Sequence, residues 1–281
     1  MEGQVWTIVE SLLQSVKSRS GRFRYGDAAI LRVVLWAVLH DRPMVWACRR
    51  EHWPLPWRPA CLPHPSTISR RWRSPGLQEE MRCLHQEAVR RLGGGGRYVA
   101  IDGRPLVVGG CSKDPEARAG RGARGMARGY KMYAAVDARH VILCYQIHPM
   151  CMAEQTVALS LLPALPPEAI RVVGDKIYDS MRLHRVARAD GRRLYTPLRE
   201  NRVGRRQQPR RLQLLRLHQT HVGRRLMQWR TEIERTFGNN TTVSFGYKGL
   251  PAWARRSHRV KRWMWGKTLL HHAWLLGKRA A

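Results

Sequence analysis

Four consecutive glycines, Gly93 to Gly96, most constrain what this chain can fold into, because a helix stops at such a run and the joint it leaves is flexible. The residue pattern changes across it. Upstream, apolar residues recur at helical spacing: Val5 to Val16 is weakly amphipathic, and Ala28 to Leu39 is apolar nearly all round. Met44 to about His52 restarts after Asp41-Arg42-Pro43, and Leu77 to Leu92 closes on the glycines. Downstream, short runs of strand type alternate with turns. The division predicted is an all-α domain over residues 1–92, a glycine linker over 93–96 and an α/β domain over 97–281.

Within the first domain, Asp27 is placed to cap the Ala28 to Leu39 helix. Ser66 is placed to cap a short helix that presents Arg70, Arg71 and Arg73, an arrangement suited to DNA contact. In the second, Arg97 to Ile101 reads as a strand, and Leu106 to Val108 either continues it or opens another. Tyr130 to Val136 and Val141 to Ile147 read as a hairpin turning at Asp137-Ala138-Arg139-His140, with Asp137 a turn residue. The strands Arg171 to Val173 and Arg193 to Leu198 follow, with helices predicted at Ala153 to Leu162, Ser180 to Ala189, Leu226 to Phe237 and Trp253 to Leu276. The Gly- and Arg-rich run Ala117 to Gly125 is too poor in large apolar residues to order by itself, so it reads as a loop that orders on a phosphate backbone.

Charge narrows the partner. With 51 Lys+Arg against 20 Asp+Glu, a net charge of +31 exceeds what solubility needs and implies attraction to a polyanion. The most apolar stretches, Ala28 to Leu39 and Thr268 to Leu276, are too short to span a bilayer, so a cytoplasmic protein close to DNA is expected and a membrane partner is not. The six cysteines form no CxxC pair and read as reduced thiols. A zinc site from Cys48, His52, Cys61 and His64 is the alternative, weakened by the prolines that crowd the segment.

Against this basic background a few acids stand out. Two short apolar runs, Tyr98 to Ile101 and Arg171 to Val173, lead to Asp102 and Asp175, each beside a glycine. A helix over Arg230 to Gly238 carries Glu232 and Glu234. Carboxylates from two strand ends and one helix suit a pair of Mg²⁺ ions, which take oxygen ligands and keep some water. Leu226, Trp229, Ile233 and Phe237 form that helix's apolar stripe, and the two glutamates flank it on opposite sides, so periodicity leaves the choice open. Glu234 shares its flank with Arg230. Lys176 and Arg230 are positioned to hold a phosphate, and the basic insertion over 199–225, with Arg205, Arg206, Arg210 and Arg211, to follow a nucleic acid strand.

Ile101-Asp102-Gly103, Gly129-Tyr130-Lys131, Gly174-Asp175-Lys176-Ile177-Tyr178-Asp179-Ser180 and Arg230-Thr231-Glu232-Ile233-Glu234-Arg235-Thr236-Phe237-Gly238 occur in that order, and the chain resembles the DDE transposases of bacterial insertion sequences, particularly the insertion sequence four and five groups. Pro65-Ser66-Thr67-Ile68-Ser69-Arg70-Arg71 also fits. The resemblance implies an RNase H-like catalytic core, a mixed sheet flanked by helices, after an all-α DNA-binding domain. It implies Asp102, Asp175 and Glu234 as catalytic residues holding two Mg²⁺ ions, with Mn²⁺ as a substitute. Its partners would be double-stranded DNA, as element terminal inverted repeats and target, bound by a homodimer. Two departures stand: Met227 and Thr241 replace the outer Tyr and Lys of a pattern seen in relatives, with Lys248 a possible replacement. Met152-Ala153-Glu154-Gln155-Thr156 occupies a segment where relatives carry Asn or His before Asp-Ser. A nuclease of the same fold without strand transfer, or a non-catalytic DNA-binding descendant, are the competing readings; the intact acids argue against the second.

Overall fold

The computed structural model describes residues 2–17, 23–109, 112–122, 125–197, 209–242 and 249–280. In chain order the elements are α1 (Glu2–Leu13), α2 (Asp27–Leu39), α3 (Met44–Ala47), α4 (Pro65–Trp72), α5 (Pro75–Arg91), β1 (Tyr98–Val107), β2 (Arg118–Gly122), β3 (Gly125–Asp137) and β4 (Ile142–Pro149). Then come α6 (Glu154–Leu161), β5 (Arg171–Val173), α7 (Met181–Ala189), β6 (Arg193–Tyr195), α8 (Pro209–Gln219), α9 (His221–Gln228), α10 (Arg230–Thr242) and α11 (Ser257–Ala280). They divide into two compact units, Met1–Gly93 with Val243–Ala281, and Gly94–Thr242. Among the described residues no helix is long and apolar enough to cross a membrane.

The first unit is all-helical, as its spacing predicts, with local differences that have physical causes. Asp27 does not cap α2: it is the first helical residue, buried, and ion-paired with Arg71 of α4. Nor does Ser66 cap α4. Proline at position 65 forces the preceding residue out of the helical region, so His64 becomes the cap and its Nδ1 accepts from the Ser66 amide at 3.3 Å. The helix expected from Met44 to His52 stops at Ala47, whose carbonyl accepts instead from the Trp53 indole at 2.8 Å, and a 3₁₀ turn covers Arg50–His52.

The last helix belongs here too. α11 packs against α1, α2 and α5; of its three tryptophans, which the sequence marks as core, Trp263 and Trp265 are buried and Trp274 only partly so. Lys267 is wholly buried and ion-paired with Asp41 at 2.9 Å, and Asp41 also accepts from the Trp263 indole at 2.8 Å. A sequence division that runs the α/β domain to residue 281 therefore differs from the observed units, because long-range apolar packing, not chain order, assigns α11.

The second unit is built on one mixed sheet of order β2-β3-β1-β5-β6, with β4 also on β3. β3 runs antiparallel to β1, β2 and β4, while β5 pairs parallel with β1 and β6 parallel with β5. β1 continues unbroken through Val107. The β3–β4 turn is the expected one: Asp137 Oδ1 accepts from the amides of Arg139 and Val141, at 2.8 and 2.9 Å. The Gly- and Arg-rich run departs from the loop expectation, since Arg118–Gly122 is β2, paired with the start of β3. Glycine permits this: a Cβ on Gly120 would lie 2.3 Å from the Met150 carbonyl oxygen. Helices α6, α7 and α10 pack on the sheet, which is an RNase H-like core.

Because α11 supplies the interior of the helical unit, residues 1–93 alone should lack a cooperative thermal transition, whereas co-expression with residues 249–281 should restore one. A cooperative melt of 1–93 by itself, followed by circular dichroism, would contradict this packing.

Candidate active site

The β1–β5 register sets the first two acids. Ala100 lies opposite Val173 on the adjacent parallel strand, and Asp102 and Asp175 each follow two residues later, so both acids are delivered at the same end of the β1–β5 pair. Asp102 stays within β1, opposite Ala134 of β3, and its Oδ1 accepts from the Gly103 amide at 2.7 Å. Asp175 leaves the sheet and caps the 3₁₀ turn Lys176–Tyr178, its Oδ1 accepting from the Ile177 amide at 2.7 Å. The glycine after Asp102 makes room for a crossing side chain: a Cβ there would meet Lys131 Cδ at 2.8 Å and Glu154 Oε2 at 3.3 Å.

α10 brings the third acid. Its apolar stripe, Ile233 and Phe237 with Thr236, is buried against β1 and β3, and Arg104 Nη1 of β1 donates to the Phe237 carbonyl at 2.7 Å. α8 and α9 support it through a core of Leu214 and Leu226 against Val173 and Tyr195. The two glutamates of α10 face different neighbours. Glu232 is ion-paired with Arg235 at 2.7 Å and lies 3.8 Å from His140 at the β3–β4 turn. Glu234 is exposed, 3.4 Å from Arg230, and acts electrostatically on Asp102. Arg230 in turn acts on Asp175. The structure thus brings Asp102, Asp175, Glu234 and Arg230 within reach of one another and leaves Glu232 on another face.

A fourth carboxylate joins them that sequence reasoning missed as a site residue. Glu154, in the first turn of α6, pairs with Lys131 at 2.9 Å, both side chains about one-tenth exposed. The buried Tyr178 hydroxyl donates to Glu154, and Gln155 Nε2 donates to the Ile177 carbonyl at 2.6 Å, tying α6 to the turn that follows Asp175. Periodicity does not mark Glu154. The available signal was an acid opening a helix just after the hairpin that carries Lys131.

Burial and like charge act together on the acids. Burial, then Glu154, Asp175 and Glu234, push the Asp102 carboxyl up to about 7, against the Gly103 amide that holds it down. Asp175 is raised by burial and Glu154, opposed by the Ile177 amide and Arg230. Among the described residues no three or more His, Cys, Asp or Glu side chains are grouped closely enough to hold a metal ion by themselves. The donor set instead fits Mg²⁺ bound by one or two carboxylates, with water and phosphate oxygens completing its shell, and such an ion would relieve the repulsion on Asp102.

The basic residues named from sequence separate. Arg70 and Arg73 are exposed on α4, but Arg71 is spent on Asp27, on the Tyr25 carbonyl at 3.2 Å and on the Phe23 ring. Lys176 is exposed beside Asp175. Arg205, Arg206 and Lys248 lie outside the described residues, as do the side chains of Arg210, Arg211 and Thr241. A second basic group went unread in the sequence: Arg171 and Arg193 are register partners at the starts of β5 and β6, with Arg97 just ahead of β1. Arg193 also lines a cleft of about 560 Å³ with Arg185, Arg188 and Arg192. The four zinc candidates do not assemble, since among the described residues no such group forms; His52 stacks on Trp46 and His64 caps α4.

The family model of the transposase DDE domain matches residues 93–271. No curated protein matches the sequence. Among solved structures the chain is similar to a piggyBac transposase synaptic complex with hairpin DNA, at 10% identity and a TM-score of 0.47, over 99% of this chain and 72% of that one.

Asp102 yields a pH prediction for the metal-free protein. Its carboxyl is held at about 7 when folded against an ordinary 3.8, so the folded state binds the extra proton between those values and stability falls as pH rises through the window. Asp102→Asn should therefore melt higher than the parent at pH 8 in chelator, with the gap closing toward pH 4. A gap independent of pH in a thermal-melt series would refute the assignment.

Proposed function

The chain belongs to the family of transposase DDE domains, and from that premise we propose that it cuts and joins DNA at the ends of an insertion sequence of the four or five group, with Asp102, Asp175 and Glu234 as its catalytic acids. The observation that carries the reading is the delivery of Asp102 and Asp175 from the paired strands β1 and β5, with Asp175 and Glu234 both in electrostatic reach of Asp102. Held by these carboxylates, two Mg²⁺ ions, or Mn²⁺ in their place, would supply charge stabilisation and an activated attacking oxygen for an in-line displacement at phosphorus.

The chain's own residues prepare that step. The desolvated surroundings of Asp102 strengthen every charge interaction near the scissile phosphate. Arg230 and Lys176, beside Glu234 and Asp175, orient the phosphate oxygens. Water, or the 3′-hydroxyl of a cleaved end, is the nucleophile, so no activated Ser or Tyr is needed. Further from the acids, the arginines at the starts of β5 and β6 and along α7 hold duplex DNA by its backbone. Residues 1–92, with Arg70 and Arg73 exposed on α4, read the terminal inverted repeats. Two ends must meet for joining, so the working form is a homodimer on DNA.

The test uses the repeats that flank the gene as substrate with a 3′-hydroxyl donor end. Replacing Asp102, Asp175 or Glu234 by Ala should lower cleavage and joining at least about a thousandfold, with DNA affinity equal or slightly higher because a negative charge near phosphate is lost. Glu232→Ala should cost less than about tenfold, since its partners are Arg235 and His140. Cleavage without joining in the parent would make it a nuclease, and full activity in all three alanine variants would remove the acids from the mechanism.

A further inference from the structure

Lys131 and Glu154 form an ion pair at 2.9 Å with 9% and 12% of their side chains exposed. Such a pair is a poor investment for stability alone, since apolar residues of similar volume often do as well or better. The surroundings are nevertheless built for it. Gly103, next to Asp102, leaves the space that Lys131 crosses, and Tyr178, three residues beyond Asp175, donates to Glu154. Glu154 acts electrostatically on both Asp102 and Asp175. The pair is therefore braced from the supports of two acids, with its negative member turned toward them.

Resting on the reading that Asp102, Asp175 and Glu234 take divalent cations, we propose that Glu154 and Lys131 are positioning residues that set the charge of that centre, Glu154 deepening its negative potential and Lys131 tempering it. The tie accounts for Lys131 in the Gly-Tyr-Lys stretch, for which the three acids alone give no role. It also yields a sign that a simple brace cannot produce. Breaking a brace from either side loosens the centre and weakens cation binding. Removing one charge of a tuning pair moves affinity down or up according to which charge is lost.

The experiment is Mn²⁺ binding to the full chain without DNA, by titration calorimetry, for the parent, Glu154→Gln, Lys131→Met, the double variant and Asp102→Ala. Glu154→Gln should weaken binding about tenfold and Lys131→Met strengthen it about tenfold, the effect of one unit charge roughly 6–10 Å away in a half-buried site. The neutral double variant should return to within about twofold of the parent. Should Lys131→Met fail to fold with Glu154 unpaired, the other two decide: recovery in the double variant supports the proposal, and binding as weak as in Glu154→Gln overturns it. Weakening in every variant overturns it as well. A parent that binds no Mn²⁺, or binding untouched by Asp102→Ala, would sink the catalytic reading beneath it and this inference together.

Discussion

The parallel pairing of β1 with β5 is the constraint on which the acidic centre rests. The residues that enforce it carry no charge: Val99, Ala100, Ile101, Val172 and Val173 are all buried in the sheet. Both faces of the two strands are covered, and their pairing, with Ala100 opposite Val173, delivers Asp102 and Asp175 at the same end. The chemistry of the site is thus set by packing that takes no part in it. The two strands then diverge, because β3 keeps β1 in the sheet past Asp102 while the capped turn takes the chain out at Asp175.

Gathering carboxylates in a desolvated place works against stability, and the structure meets this with local devices. Two backbone amides, those of Gly103 and Ile177, point at the acids, and Lys131 and Arg230 supply positive charge. None outweighs burial at Asp102, whose carboxyl is pushed up to about 7. A site left under such electrostatic tension suits a centre whose partner brings its own positive charge. The helix that completes it depends in turn on apolar support, for α10 is reached through α8 and α9, which pack on Val173 and Tyr195 at the far ends of β5 and β6.

What the sequence made legible, and what it hid, follows from the range of the forces involved. Asp102 and Asp175 were visible because short apolar runs lead to each, and Asp137 was readable as a turn residue because its hydrogen bonds are local. Periodicity could not separate Glu234 from Glu232, since both flank the same stripe of α10; Arg230 on the same flank and the family resemblance favoured Glu234, and the two side chains have different neighbours in space. Glu154 stayed hidden because its importance lies in Lys131 and Tyr178, residues more than twenty positions away. Arg71 looked like a surface cation until Asp27 claimed it. β2 was missed because propensity argues against a strand of glycine and arginine, and close backbone approach at Gly120 overrode it.

The place of α11 in the interior of the first unit also orders events at the ribosome. The helices of residues 1–93 emerge first but must wait, their apolar faces unmatched, until the entire sheet-bearing unit has been synthesised and α11 follows it out. Throughout that interval the nascent chain exposes the surfaces of α1, α2 and α5 that α11 later covers, so it depends on protection from aggregation for as long as translation of the intervening residues takes. A chain broken off after α10 but before α11 carries all the acids of the centre without a closed helical unit, and is marked for degradation by its own unfinished core.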